Sequence, residues 1–161
     1  MGTTSTSIDS TPSQQRLNEA EFLTAFRGGF VNMLRWHELD ALWQRLRAGA
    51  DEGWYVYAVG ETPPRAPLAR ERFGQVLGEI DALLRREHQE DYCGIVYADD
   101  RNNPTLVKIY DPNNLGSSCG TGLMPPPLPG WVISRAVPAD LKAAFPPPGN
   151  RRRWWQRLLG G

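Results

Sequence analysis

Cys119 is the side chain whose surroundings most suggest chemistry. It lies in Gly116-Ser117-Ser118-Cys119-Gly120-Thr121-Gly122, small residues whose peptide N–H groups stand clear of bulky neighbours. Such a loop can cradle an anion. A thiolate held there would have a lowered pKa and could act as a nucleophile. Nucleophilic thiol chemistry also needs a base and a group to orient it. The chain offers His37 and His88 as bases and Asp111 or Asp140 as orienters. Neither histidine falls at a strand end or in a loop that would meet Cys119. Met124-Pro125-Pro126-Pro127 prevents a helix from starting just after the glycines, and the spacing fits neither a Walker A loop nor a dinucleotide fingerprint.

The loop therefore reads first as a connection and contact surface made by Asn113, Asn114, Ser117, Ser118, Cys119 and Thr121. Two alternatives stand beside it: a thiol-dependent enzyme or thiol carrier using Cys119, and a binder of an anionic small molecule. Cys93, in an apolar run, reads as a buried small hydrophobe. No Cys-x-x-Cys or His-x-x-x-His spacing occurs, so no metal site and no cofactor is expected. Asp99-Asp100 occupies a turn and reads as turn capping.

The second chemical feature is Arg151-Arg152-Arg153-Trp154-Trp155-Gln156-Arg157-Leu158-Leu159. Arg151, Arg152, Arg153 and Arg157 bring positive charge without an acid. Trp154, Trp155, Leu158 and Leu159 fall on one face of a helix. A basic-aromatic segment of this kind suits a groove on an acidic protein partner or an anionic membrane surface. Polyproline-type stretches, Pro125–Pro129 and Pro146–Pro148, flank the two surfaces.

Composition limits what remains. The chain has 161 residues, 40% apolar and 22% charged, with a formal net charge of +0. That suits one soluble domain with its own core and gives no reason to expect a nucleic-acid partner. Of 18 basic residues only Lys108 and Lys142 are lysine, as in a chain from a GC-rich bacterial genome. Two cysteines do not make a disulfide framework. The start of the chain has no basic, then apolar, leader, and no window is apolar enough to span a bilayer. The expectation is a cytoplasmic protein, with peripheral membrane contact through the tail as an option.

The elements that must position these groups read as follows. Residues 1–17 are Ser/Thr/Gln-rich and expected to be disordered. Asn18 with Glu21 resembles a capping box opening one kinked helix, or two helices, over 19–48, with Phe22, Phe26, Phe30, Met33 and Leu34 on one stripe. Residues 53–61 read as a strand and 67–90 as a helix with Pro67 in its first turn. Residues 91–99 and 105–111 read as a hairpin, 131–136 as the last strand, and 137–145 as a short helix started by Pro138. The order predicts an α+β domain over 18–145: an antiparallel sheet of about four strands with two to three helices packed on one face. Residues 146–161 form a Pro-rich linker and tail. Without a complete catalytic set, the reading is a non-catalytic accessory or adaptor protein that binds a protein partner or a membrane-associated complex through the 111–131 loop and the Arg/Trp tail.

Overall fold

The computed structural model describes residues 11–113 and 127–145. In chain order its elements are α1 Pro12–Phe26, β1 Val31–Asn32, α2 Trp36–Ala48, β2 Tyr55–Ala58, α3 Arg70–Glu87, β3 Val96–Ala98, β4 Leu106–Ile109, β5 Trp131–Ser134 and α4 Leu141–Ala144. The five strands form one antiparallel sheet in the order β1-β3-β4-β5-β2. The α+β class and the single domain are as expected. The additional strand is β1, a two-residue edge.

Strand alternation sends side chains to two faces. Val56, Ile133, Val107 and Ala98 stand in one row and face α2 and α3. Leu39, Leu42, Trp43 and Leu46 of α2 and Phe73, Leu77, Ile80 and Leu84 of α3 supply the other half of this core. Arg85 ties the two helices together. It pairs with Asp40 and Asp81, and its guanidinium lies 4.9 Å from the Trp36 ring centroid. Trp43 Nε1 donates to the same Asp81 at 3.0 Å.

The second row, Tyr57, Val132, Lys108 and Tyr97, faces the opposite way. Here Phe22 and Phe26 of α1, with Leu141 of α4, pack on Tyr57, Leu106 and Val132. Tyr57 is buried, its hydroxyl accepts from Leu141 N–H at 3.4 Å, and burial raises its pKa. Two helices thus cover the expected face, and a second helical layer covers the other.

Several boundaries differ from the sequence reading. α1 starts at Pro12, where Thr11 caps it by accepting from Gln14 N–H at 3.2 Å, so Asn18 lies inside the helix. Of the span expected to be disordered, residues 1–10 lie outside the described residues and residues 12–17 are helical. The helical stripe stops at Phe26: Gly28-Gly29 end the helix, and Phe30 to Leu34 run into and past β1. Pro67 lies ahead of α3, whose N-cap is Ala69. Asp140, not Pro138, starts α4, accepting from Ala143 N–H at 3.2 Å.

Candidate functional site

The early start of α1 creates a surface absent from the sequence reading. The first half of this helix stands over the outer strand β2 and leaves a groove of about 1030 Å³. Gln14, Gln15, Asn18 and Glu19 form one wall. Thr62, Pro63, Arg65, Ala66 and Pro67, from the connection between β2 and α3, form the second. Val137, Pro138 and Asp140, leading into α4, close one end, and Tyr55 of β2 lies between the walls.

Local sequence explains each part. Gln14, Gln15 and Asn18 share one side of α1 because positions i, i+1 and i+4 do so in any helix. Gln14 Nε2 donates to Asn18 Oδ1 at 3.2 Å, which aligns the two amides. The 59–68 connection is held along the β2 edge by Glu61 N–H to Ala58 C=O at 3.0 Å and Leu68 N–H to Trp54 C=O at 2.9 Å. Pro63, Pro64 and Pro67 stiffen it and lack N–H groups, so at those positions it cannot extend the ladder.

The electrostatics are mixed. The lining carries two carboxylates, Glu19 and Asp140, and one guanidinium, Arg65. Among the described residues none of the three belongs to an ion pair. The groove therefore combines two carboxylates, one cation, three amides, a phenol and proline rings. Amides can hydrogen-bond a polypeptide main chain, and the carboxylates can take arginine or lysine from a guest. The volume is at the upper end of the range for ligand clefts.

A second surface surrounds the β1 edge. Leu34 and Tyr92 are 51% exposed and Val31 is 38% exposed. The chain holds Tyr92 beside Leu34: Cys93 N–H donates to Leu34 C=O at 2.8 Å and Gly94 N–H to Met33 C=O at 3.1 Å. Gly94 has φ +73, and an added Cβ would lie 3.2 Å from the Tyr92 ring. Behind the patch, the His88 ring lies between Trp36 at 6.2 Å and Tyr92 at 6.1 Å.

The residues singled out from sequence fall as follows. Cys93 is fully buried and burial raises its thiol pKa, so it is the small hydrophobe expected. His37 is exposed on α2, and His88 follows the last turn of α3. Asp99 and Asp100 do cap the hairpin turn. Asp99 Oδ1 accepts from the N–H groups of Asp100, Thr105 and Leu106. Asp100 Oδ1 accepts from Asn102 and Asn103, and those two bonds hold its carboxyl below the usual range.

Asn113 is exposed, its N–H bonded to Asp111 at 2.9 Å. Asn114, Ser117, Ser118, Cys119 and Thr121 lie outside the described residues, as do Arg151, Arg152, Arg153, Trp154, Trp155, Arg157, Leu158 and Leu159. The two ends of the 111–130 connection do meet, since an added Cβ on Gly130 would lie 3.1 Å from Asp111 Cβ. Among the described residues no cluster of three or more His, Cys, Asp or Glu could hold a metal ion, and no helix is long and apolar enough to cross a membrane. The groove residues Gln14, Gln15, Asn18 and Tyr55 were missed. Their only signal was the Thr11-Pro12 pair, a helix cap followed by proline at the first helical position.

No family model matches the chain, and no solved structure matches it. A protein of Aquifex aeolicus (strain VF5), described as an uncharacterized protein, is 31% identical over 61 residues. The match covers 37% of this chain and 48% of that relative, about half its length.

Proposed function

We propose that this protein is a non-catalytic accessory or adaptor domain that binds a protein partner, and that the groove beside β2 seats an extended, basic segment of that partner. The groove carries the reading: it is lined by amides that can read a main chain, by two carboxylates without ion-pair partners among the described residues, and by a tyrosine and proline rings. The apolar β1 edge, the 111–131 loop and the Arg/Trp tail are further contact surfaces in the same reading. A cytoplasmic setting belongs to it, as does peripheral contact of the tail with an anionic membrane.

The test places a photo-activated benzoylphenylalanine at Gln15 in the full chain, in the native cell, with Gln75 on α3 as a control site. The expected result is a discrete protein adduct from position 15 that is absent from position 75. That protein, purified, should bind the wild-type chain and lose about tenfold affinity, about 1.4 kcal/mol, on Glu19→Lys. No adduct, or the same adducts from both sites, would remove the groove from the reading.

A further inference from the structure

We propose that the chain's own Arg/Trp segment, residues 151–159, occupies this groove in the free protein and yields it to the partner. The inference rests on the adaptor reading and adds its regulation.

Three observations converge. The first is where the described chain stops. The Phe145 ring lies 5.6 Å from Phe26 and 5.1 Å from the Arg27 guanidinium, so α4 ends against the last turn of α1. Back along α1 from Phe26 to Glu19 is about 10 Å at 1.5 Å per residue. Residues 146–150, Pro-Pro-Pro-Gly-Asn, can span about 15 Å at about 3.1 Å per residue. Arg151 is therefore within reach of Glu19. Pro138 and Asp140, which close one end of the groove, precede Phe145 by only a few residues.

The second is charge. Glu19 and Asp140 have no ion-pair partner among the described residues, and the segment brings Arg151, Arg152, Arg153 and Arg157 with no acid. Arginine suits such sites because its planar fork meets a carboxylate with two hydrogen bonds. The third is the floor. Tyr55, Pro63, Pro67 and Pro138 give flat apolar surface for the Trp154 and Trp155 rings, and Gln14, Gln15 and Asn18 give amides for the guest's main chain.

A tethered guest acts at an effective concentration in the millimolar range, so modest affinity keeps the groove filled. A partner segment then binds with an apparent affinity lowered by the fraction of chains whose groove is open.

The test uses purified full-length protein alone, with benzoylphenylalanine at Gln15, irradiated as an equal mixture of ordinary and 15N-labelled chains. Mass spectrometry of the digest should show residue 15 joined to a peptide from 151–161, within one isotopic chain and at monomer mass. Arg151, Arg152 and Arg153 changed together to Ser should abolish that product and raise affinity for the captured partner about tenfold. Mixed-isotope products would show exchange between copies and overturn occupancy in cis, and absence of any tail adduct would overturn occupancy altogether. If the tail is absent but the partner still cross-links at Gln15 in cells, this inference falls and the adaptor reading stands. If neither cross-links, both fall.

Discussion

The ammonium of Lys108 stands 4.0 Å from the ring centroids of both Phe26 and Phe30, and these contacts join the central strand β4 to the end of α1 and the turn beyond it. Among the described residues no carboxylate pairs with it. Two effects oppose each other. The ring faces favour the cation, by about 0.5–2 kcal/mol per contact. Burial disfavours it and lowers the pKa.

Lys108→Met keeps the aliphatic stem and removes the charge, so it should stabilise the protein at pH 7. The sign of its pH dependence follows from proton counting. In the window from the lowered folded pKa up to the ordinary value of 10.5, the unfolded chain holds more protons, so wild-type stability rises with pH relative to the variant. The advantage of Lys108→Met should shrink in urea titrations as pH rises toward 10.5. Tyr57 and Tyr110, whose pKa values are raised, are common to both proteins and cancel in the difference. An advantage that grows with pH would contradict this account. Phe30→Ala should destabilise at every pH by about 2–3 kcal/mol, since it removes the ring from both the cation and the α1 cluster.

The β3–β4 hairpin should depend on Asp99 more than on any other turn residue. One carboxylate oxygen accepts three main-chain N–H groups and the other accepts the Thr105 hydroxyl. Asp99→Ala leaves those half-buried donors without a partner, at an expected cost of about 2–3 kcal/mol in chemical denaturation. Asp99→Asn keeps one oxygen and should lose about half as much. Asp100 behaves differently. Its folded pKa is lowered, so its contribution is present above the unfolded value and lost as pH falls toward the folded one. Asp100→Asn should flatten the acid limb of the stability profile below about pH 4.

Cys93 should resist alkylation in the native protein. It is fully buried and its thiol pKa is raised, so iodoacetamide should label it at least about a hundredfold more slowly than in 6 M urea. Cys93→Ser should cost about 1–3 kcal/mol by burying a hydroxyl where a thiol packs among apolar side chains. Cys119 is the comparator in the same digest. A Cys119 thiolate titrating near or below neutral pH would favour the thiol-dependent alternative over the adaptor. An ordinary or raised titration would remove it.

α1 shows where sequence reading succeeded and where it failed. The apolar periods of α2 and α3 were legible because each helix buries one patterned face, and β2, β4 and β5 were legible as β-branched and aromatic runs, as suits strands covered on both faces of the sheet. Residues 12–18 carry almost no apolar side chains, so periodicity had nothing to register, and the helix depends on Thr11, Pro12 and the anchorage of Phe22 and Phe26 further along. Phe30, Met33 and Leu34 misled because their spacing continues that of Phe22 and Phe26. Gly28-Gly29 ends the helix, and Met33 N–H then bonds to Val96 C=O at 2.8 Å in the sheet. The groove was unreadable because its walls come from three distant segments, polar in ways that each segment alone would explain as solvation.

Thr11→Ala tests the start of α1. Removing the cap should cost about 1 kcal/mol and fray the first turns, since an N-cap oxygen satisfies one of the orphan N–H groups there. Hydrogen exchange of residues 14–18 should rise about fivefold while Phe22 and Phe26 remain protected. Global exchange across α1 would mean that the helix depends on its cap more than on its packing.

Groove substitutions should separate recognition from stability. Glu19 is exposed and Gln15 half-exposed, and neither side chain makes a hydrogen bond or ion pair among the described residues, so Glu19→Gln and Gln15→Ala should each change stability by less than about 0.5 kcal/mol. Binding of a basic segment should respond differently to the groove's charge and to its apolar surface. Glu19→Gln removes a carboxylate, so affinity should fall and its dependence on salt should weaken, because exposed charge pairs are screened over about 10 Å at 0.1 M salt. Tyr55→Ala removes apolar floor, so affinity should fall with the salt dependence unchanged. Arg65→Glu should strengthen binding, since among the described residues it replaces the groove's one cation with a third carboxylate. Calorimetric titration at 50 and 300 mM salt reads all three, in a background with Arg151, Arg152 and Arg153 changed to Ser so that the tail does not compete. If Arg65→Glu weakened binding, the guest would be acidic at that end, and the assignment of a basic segment would be reversed.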